Sequence, residues 1–495
     1  MCGIAGCVTE RPGEVRSSWL TDMAASISHR GPDDHGFLQW SGNGKPVVGR
    51  AVSPEPAQVG LAHLRLAILD LTEAGWQPMR SRDDRFHLVY NGEIYNYLEL
   101  RDELQRAGHT FHSSGDSEVL LTAFKHWGLD ALPKLVGMFA FAALDTERRT
   151  VTIARDPFGI KPLYYSSQGG MFAFASEIKA LLQLPSVSRS ANIRQVYRYL
   201  KSGALGGTDA TFFAGIRQLA PGHYATISID RPDRVEPARF WSPPTERDRT
   251  PTFEAAAEEL RALFVESIRL HLRSDVPIGT ALSGGIDSSA IVAAIRAVGG
   301  ADVDIRTFSF IADDPRLSEE SWMDLQAGAA GAAATKVKPP ASDLVRDVDR
   351  LVGVQDEPFA STSIYAQFRV FELAAASGVK VMLDGQGADE MFAGYPPYVP
   401  ARISSLLRAG RPAAAVQLSR HATGHGADGP ARQLGKAVAG LLHPALRNTA
   451  ARRFGVDNGA GRWINTQWFA DRGLQPEQRP ANRTLSVALL RELQV

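Results

Sequence analysis

Cys2 is the first residue in this sequence whose position favours chemistry. Removal of the initiator methionine would place Cys2 at the chain terminus, where one residue carries both a thiol and a free α-amino group. An α-amino group titrates at about pH 8, so part of it is free base at neutral pH and can activate the thiol. Cys2 is therefore a candidate nucleophile, although a lone cysteine at this position is more often a small buried residue.

Four polar motifs follow Cys2 within about the first 120 residues, namely HRGPD at 29–33, HLRL at 63–66, NGEIYN at 91–96 and SGDSE at 114–118. Each alone is compatible with a structural role. Asn-Gly is an ordinary turn dipeptide, Arg65 could pair with a core carboxylate, and Arg30 and Asp33 could bridge their own Gly-Pro turn. In this order behind Cys2, the set resembles a class II glutamine amidotransferase domain.

This resemblance implies a role for each residue of a glutamine site. The thiol would attack the glutamine amide, and the Asn91 side-chain amide with the Gly92 backbone N–H would form the oxyanion hole. Arg65 would hold the α-carboxylate of glutamine. Asp116, assisted by Glu93, would hold its α-ammonium, so each clamp is complementary in charge to its target.

A second motif, SGGIDSS at 283–289, lies where an apolar strand turns into a helix. Backbone N–H groups at a helix N-terminus favour an anion, and the lysine of a GxxxxGK[ST] loop is missing. The motif resembles the PP-loop of ATP pyrophosphatases, although a Ser-Gly-Gly turn can be merely structural. The resemblance implies an ATP and pyrophosphate site formed by Leu282, Ser283, Gly284, Gly285, Asp287, Ser288, Gly385 and Gln386.

The motif DGQGADE at 384–390 follows a later apolar strand, so we expect it at the carboxyl edge of the same sheet. Asp287 and Asp389 would then place carboxylates on two converging loops. Mg²⁺ commonly takes one or two carboxylates while it bridges nucleotide phosphates, so these two residues are the predicted metal ligands. Asp384 and Glu390 could equally be solvated loop charges or helix caps.

The elements that position these motifs differ between the two halves of the chain. The first half has short apolar runs with a period of two and few helical stretches, which predicts a sheet-rich α+β domain. The second half alternates strands and helices, which predicts an α/β domain with strands ending at Leu282 and spanning 305–311 and 379–383. The resemblances imply an αββα N-terminal nucleophile (Ntn) hydrolase sandwich followed by an α/β PP-loop domain of the adenine nucleotide alpha hydrolase type.

We predict domain boundaries from composition and motif placement. The glutaminase domain is expected at 2–205, a connector rich in Gly, Pro and Arg at 206–250, and the ATP-binding domain at 251–495. Two further motifs, RDPFGIKPLY at 155–164 and SEIK at 176–179, are expected to shape the interface between the domains.

Residues 2 to about 400 together resemble a glutamine-hydrolysing asparagine synthetase. The implied reaction converts aspartate, glutamine, ATP and water into asparagine, glutamate, AMP and pyrophosphate. There are two departures. Gln386 stands where the family commonly has glutamate, and the family's Ser-x-Glu-x-Arg stretch with its following basic segment is missing, so the second domain is expected to be incomplete at its C-terminus. Another carboxylate acceptor (a peptide, a sugar acid or a secondary metabolite), or a defective synthetase half, stays open.

The composition of the chain limits the kinds of partner that it is expected to bind. Lys plus Arg and Asp plus Glu are both 54, for a net charge of +0, which argues against nucleic acid and anionic membranes. The longest apolar runs are about half the length of a membrane-spanning helix, and the start lacks a signal-peptide pattern. We expect a cytoplasmic enzyme that uses small-molecule substrates with ATP and Mg²⁺. A homodimer is left open.

Overall fold

The computed structural model describes residues 1–203, 205–244, 251–359, 361–422, 429–441 and 463–474. Contacts divide the chain into two compact units. The larger unit comprises Met1–Ala191, Asp209–Ser242 and Asp248–Gly385, and the smaller comprises Asn192–Thr208, Pro243–Arg247 and Gln386–Val495.

The strands of the described residues all belong to the larger unit. In chain order they are β1 (Gly3–Thr9), β2 (Asp34–Trp40), β3 (Val47–Gly49), β4 (Val59–Arg65), β5 (Met79–Arg80), β6 (Phe86–Ile94), β7 (Gly137–Asp145), β8 (Thr150–Arg155), β9 (Tyr164–Gln168), β10 (Met171–Ala175), β11 (Arg217–Gln218), β12 (His223–Ser228), β13 (Ala238–Arg239), β14 (Ile278–Ala281), β15 (Arg306–Phe310), β16 (Ala333–Val337) and β17 (Val381–Leu383).

The helices occur in both units. They are α1 (Ser17–Ser26), α2 (Tyr97–Arg106), α3 (Asp116–Trp127), α4 (Ile178–Leu181), α5 (Ile193–Ser202), α6 (Phe253–His271), α7 (Ile286–Gly299), α8 (Glu320–Ala330), α9 (Ala341–Gln355), α10 (Ser363–Ala376), α11 (Ala388–Phe392), α12 (Tyr398–Arg408), α13 (Pro412–His421), α14 (Pro430–Leu441) and α15 (Thr466–Ala470). Short 3₁₀ helices lie at Ser28–Arg30, Glu73–Gly75 and Gly128–Lys134.

Two antiparallel sheets pack face to face in the first half of the chain. Their strand orders are β11-β9-β10-β1-β4-β2-β3 and β13-β12-β8-β7-β6-β5. Alternate residues such as Ile4, Leu61 and Val89 point into the core between them. Helices α1 and α4 cover the outer face of the first sheet, and α2 and α3 cover the second. This αββα arrangement confirms the predicted sandwich.

The second half of the larger unit contains a parallel sheet with the order β16-β15-β14-β17. The chain therefore runs outward from β14 to β16 and then crosses back to place β17 on the other side of β14. The α/β prediction is confirmed, but apolar runs in the sequence mark only three of the four strands. Strand β16 has no such run, because Ala333, Ala334 and Thr335 are exposed.

The smaller unit is helical in the residues that the structure describes. Helices α12, α13 and α14 pack through Ile403, Leu406, Ala415 and Ala437. Helix α5 packs through Tyr197 on Phe469 of α15. Among the described helices, none combines the length and apolar character needed to cross a membrane.

Candidate active site

Cys2 and Arg65 lie at the same end of the first sheet and on its inner face. Strand residues alternate between faces, so Cys2 shares a face with Ile4, and Arg65 shares one with Leu61. Ile4 and Leu61 both belong to the core between the sheets. Strands β1 and β4 are antiparallel with Gly3 opposite Leu64, so Cys2 and Arg65 come together where β1 begins and β4 ends.

The Cys2 thiol is held by the residue that follows β4. Its Sγ accepts from the Leu66 backbone N–H at 3.3 Å and lies 3.6 Å from the Leu66 carbonyl oxygen. Burial raises the pKa of the Cys2 thiol, while the charges of Lys161 and Arg30 act in the opposite direction. A thiol in this state is protonated at neutral pH and needs a base before it can attack.

Arg30 is part of this site, although the sequence offered a turn-bridging role for it. Its Nε donates to the Cys2 carbonyl at 2.9 Å, and its Nη1 donates to Glu177 Oε1 at 2.7 Å. Burial and three hydrogen-bonding partners (His29, Lys179 and Arg30) act on Glu177, and the partners prevail, lowering its pKa to about 2. The pair fixes the backbone of the candidate nucleophile.

Asn91 and Glu93 face the same layer from the second sheet. Both lie an even number of residues from Val89 along β6, so their side chains share the face of Val89, which packs in the core between the sheets. Asn91 is only 1% exposed, yet neither of its side-chain amide atoms has a hydrogen-bond partner among the described residues. Glu93 Oε1 is likewise buried without one. Buried polar atoms are costly to leave unpaired, so this arrangement favours a polar ligand.

The Gly92 N–H lies on the open edge of β6. Its neighbours on that edge are satisfied by side chains, since Tyr90 N donates to Gln77 Oε1 at 2.7 Å and Ile94 N donates to Asp116 Oδ2 at 2.9 Å. Backbone N–H groups alternate between the two edges of a strand, so the Gly92 N–H points the same way. Strand β5 has already ended there, and a donor in this position can stabilise an oxyanion.

Only glycine fits at position 92. A Cβ there would lie 2.3 Å from the Met138 carbonyl oxygen and 2.8 Å from the Phe139 Cα, both in the neighbouring strand β7. These contacts are with backbone atoms, which cannot swing away as a side chain could. The close approach of β6 and β7 therefore requires the missing side chain.

Two buried carboxylates adjoin one another at the end of β6. Asp116 Oδ2 accepts from the Tyr90 hydroxyl at 2.8 Å and from the Ile94 N–H. Burial raises the pKa of Asp116 despite these hydrogen bonds. Burial, followed by the charge of Asp116, raises the pKa of Glu93 to about 7. Two carboxylates that disfavour each other's ionisation form a site suited to a cation.

Arg65 makes local contacts as well as facing the site. Its Nη1 donates to the Thr72 carbonyl at 2.8 Å, and its Nη2 donates to the Asp70 carbonyl. These bonds use two of the five guanidinium N–H donors and fix the plane of the group. The remaining donors are those that could meet a carboxylate.

Lys161 is a site residue that the sequence analysis assigned to a domain interface. It is only 4% exposed, and burial lowers its pKa to about 8, while the negative charge of Glu93 acts to raise it. Cys2 and Arg30 also interact with it electrostatically. The RDPFGIKPLY motif was a visible signal, but only the folded chain brings its lysine to Glu93.

The loop between β14 and α7 carries the second candidate site. The Ser283 N–H donates to Ser288 Oγ at 3.2 Å, and the two hydroxyls are 3.1 Å apart. Gly284 adopts a φ of +86°, which other residues rarely tolerate. The Leu282 carbonyl is anchored by Ser309 Oγ at 2.6 Å. The first-turn N–H groups of α7 lack intrahelical acceptors and can bind an anion.

Gly385 lies against this loop. A Cβ on Gly385 would be 3.2 Å from Asp287 Cβ and 3.3 Å from the Ser288 nitrogen. This proximity follows from the sheet, because β14 and β17 are neighbours although β15 and β16 come between them in the chain. Such a topological switch point is where open α/β sheets bind their ligands.

The predicted metal ligands fit Mg²⁺ in chemical type. Asp287 supplies a carboxylate that accepts no hydrogen bond or ion pair from the residues that the structure describes. Asp389 lies in the first turn of α11, in the smaller unit, together with Gln386 near the start of that helix. The described residues contain no cluster of three or more His, Cys, Asp or Glu side chains that could hold a metal ion.

Comparisons with known proteins match both halves of the chain. A family model described as "Glutamine amidotransferase domain" matches residues 1–241, and one described as "Asparagine synthase" matches residues 259–494. These ranges include every residue of both candidate sites.

Individual relatives give the same result. Asparagine synthetase [glutamine-hydrolyzing] 1 of Bacillus subtilis is 33% identical over 405 residues, which cover 80% of this chain and 59% of that protein. A protein of Methanocaldococcus jannaschii provisionally named asparagine synthetase [glutamine-hydrolyzing] 2 is 31% identical, and the match covers 82% of this chain and 78% of that protein. Amidase chyE of Penicillium rubens is 29% identical, covering 80% and 60%.

The chain spans less than two thirds of the length of the B. subtilis relative and more than two thirds of the M. jannaschii one. The two family models, the shared identity and the two folds agree over both halves. This chain is a member of the glutamine-hydrolysing asparagine synthetase family.

Proposed function

We propose that this protein hydrolyses glutamine at the site around Cys2 and uses the released ammonia to amidate a carboxylate that ATP has converted into an acyl-adenylate. The proposed acceptor is aspartate, which would give asparagine, glutamate, AMP and pyrophosphate. The proposal keeps the division into a glutaminase domain at 2–205, a connector at 206–250 and an ATP-binding domain at 251–495.

The observation that carries the glutaminase half is the set of unpaired polar atoms on the inner face that also holds Cys2. A bound glutamine would offer its side-chain oxygen as an acceptor to the Asn91 amide, and its α-ammonium would give Glu93 a partner. The buried Lys161 charge would favour the thiolate as it forms. The α-amino group of Cys2, exposed once Met1 is removed, would take the thiol proton.

The attack forms a tetrahedral intermediate whose negative oxygen would receive hydrogen bonds from Asn91 Nδ2 and the Gly92 N–H. As the intermediate collapses, the α-amino group of Cys2 would pass the proton to the leaving nitrogen. The carbon–nitrogen bond then breaks and ammonia is released. Water then hydrolyses the thioester to glutamate. Arg65 and Asp116 would hold the substrate's α-groups throughout, so both chemical steps act on a fixed carbonyl.

The ATP-binding half rests on the loop from Leu282 to Ser288 and on Gly385 beside it. Its backbone N–H groups and the Ser283 and Ser288 hydroxyls would bind the pyrophosphate. Asp287 and Asp389 would hold Mg²⁺, which offsets the negative charge of the phosphates. The acceptor carboxylate would attack the α-phosphorus of ATP and expel pyrophosphate, and ammonia would then attack the acyl carbon of the acyl-adenylate and displace AMP.

A second candidate function is amidation of a carboxylate other than aspartate. Two observations favour it. Gln386 is an amide at a position where a carboxylate could act as a proton acceptor, and an amide cannot replace it in that role. One relative of similar coverage is named an amidase rather than an asparagine synthetase.

The experiment measures glutamate, AMP and pyrophosphate with a panel of carboxylates, using glutamine and then ammonia as the nitrogen donor. Cys2→Ala should abolish glutamate formation and leave ammonia-dependent AMP formation intact, because the two sites use different residues. Cys7→Ala is the matched control, since Cys7 is a buried core residue. Glutamate release by Cys2→Ala at the wild-type rate would overturn the glutaminase half. AMP formation with another carboxylate but not with aspartate would establish the second candidate.

A further inference from the structure

Residues 66–72 form a loop that connects β4 to the 3₁₀ helix Glu73–Gly75 and contacts two residues of the proposed glutamine site. Leu66 holds the Cys2 Sγ through its backbone N–H. The carbonyls of Asp70 and Thr72 accept from the Arg65 guanidinium. The 66–72 loop therefore sets the position of both the candidate nucleophile and the candidate carboxylate clamp.

The loop is fastened to a residue from the second half of the chain. Asp275 Oδ2 accepts from the Asp70 N–H at 2.8 Å, and the Asp275 N–H donates to the Ile68 carbonyl at 3.1 Å. These two bonds form a paired contact between the loop and the segment that leads into β14. Asp70 is thus held from both sides, by Arg65 through its carbonyl and by Asp275 through its N–H.

A second attachment reaches the beginning of the loop. Lys380 Nζ donates to Asp33 Oδ2 at 2.7 Å, and the same oxygen accepts from the Ala67 N–H at 2.8 Å. Ala67 follows Leu66 directly. Lys380 immediately precedes β17, just as Asp275 shortly precedes β14. Asp33 therefore does not bridge its own Gly-Pro turn but links the loop to the parallel sheet.

We infer that Asp275 and Lys380 are positioning residues of the glutaminase site, although they belong to the other half of the chain. They hold the 66–72 loop so that the Leu66 N–H meets the Cys2 thiol and the loop carbonyls fix Arg65. This inference rests on the proposed glutaminase function. The alternative is that Asp275 and Lys380 only hold the two halves of the chain together. The bidentate pair of Arg273 with Glu99 also joins the two halves but does not contact the 66–72 loop, so it separates the two roles.

The test compares Asp275→Ala and Lys380→Met with conservative variants and with a matched control, using the full chain. Asp275→Asn keeps an acceptor oxygen for the Asp70 N–H, and Lys380→Arg keeps the donor to Asp33. Glu99→Ala breaks a contact between the same two halves away from the loop. The measurements are kcat and KM for glutamine hydrolysis, ammonia-dependent AMP formation and thermal unfolding.

We expect Asp275→Ala and Lys380→Met to lower kcat/KM for glutamine by about tenfold or more, because a misplacement of about 1 Å can cost up to a hundredfold. Asp275→Asn and Lys380→Arg should recover most of this loss. Glu99→Ala should stay within about twofold of wild type. Ammonia-dependent AMP formation should be retained in all five variants, since no change touches the ATP loop.

Equal kcat/KM in Asp275→Ala and Glu99→Ala would overturn the inference, as would an Asp275→Asn variant as impaired as Asp275→Ala. If Asp275→Ala or Lys380→Met prevents folding, Asp275→Asn and Lys380→Arg test the inference instead. These two variants keep the acceptor and the donor, so they should have near-normal kcat/KM. A wild-type protein that releases no glutamate would refute the proposed function instead, so the two failures are distinguishable.

Discussion

Replacing Glu93 with glutamine should stabilise the protein while impairing glutamine hydrolysis. The pKa of Glu93 is raised from 4.5 to about 7, mainly by burial and then by Asp116. Each pH unit between the folded and unfolded pKa is worth about 1.4 kcal/mol, so ionised Glu93 costs the fold about 3 kcal/mol. Glu93→Gln removes that cost at nearly constant volume.

The effect has a defined pH dependence. Below about pH 4.5 the carboxyl is protonated in both the folded and unfolded states, so it costs nothing. The cost grows as pH rises from 4.5 to about 7 and is complete above that range. The Glu93→Gln variant should therefore exceed wild type in free energy of unfolding by about 3 kcal/mol at pH 8 and by less than about 1 kcal/mol at pH 5.

The measurement is urea unfolding at the two pH values, together with kcat/KM for glutamine at pH 8. Loss of a charged partner for the α-ammonium should lower kcat/KM by roughly tenfold to a hundredfold, the equivalent of one buried charged hydrogen bond. Glu55→Gln, at an exposed carboxylate, serves as the control for a simple change in net charge. A Glu93→Gln variant that is less stable than wild type at pH 8, or equally stabilised at both pH values, would refute this reasoning.

Two further predictions concern the oxyanion donors and the metal ligands. Gly92→Ala should lower kcat for glutamine hydrolysis by about a hundredfold to a thousandfold, because a Cβ 2.3 Å from the Met138 oxygen must displace the Gly92 N–H; a kcat within threefold of wild type would contradict the assignment. Asp287→Asn and Asp389→Asn should each weaken Mg-ATP binding and slow AMP formation, with glutamine hydrolysis unchanged in the same samples. Mg-ATP titrations of both variants that match wild type would exclude them as ligands.

Much of the fold could be predicted because local patterns agree with it. Period-two apolar runs marked β6, β7 and β10, and their alternation also decides which face Asn91 and Glu93 occupy. The strand-to-helix turn at the Ser283 loop placed the second site at a sheet edge. Strand β16 was not predicted, because its exposed side chains give no period-two apolar pattern. Burial on both faces or on one is what makes a strand visible in sequence.

The candidate site could be predicted only in part, since some of its residues act through distant partners. Arg30 contacts Cys2 and Glu177, which are far from it in the chain, so its own Gly-Pro turn gave the wrong alternative. Lys161 becomes significant only because folding buries it beside Glu93. Motif chemistry predicts which residues would contact glutamine, and that stays a prediction, whereas the groups that hold those residues in place or shift their pKa depend on tertiary contacts.

The exposed strand β16 also bears on solubility. It is the outer strand of the parallel sheet in the described residues, and such an edge presents backbone groups to which another chain could add. Lys336 stands on this short strand and pairs with Glu320 at 2.8 Å and Asp324 at 2.6 Å on α8. A paired lysine on an edge strand opposes stacking of a second strand, because its charge would have to be desolvated. These ion pairs therefore disfavour edge-to-edge pairing at the outer strand of the parallel sheet.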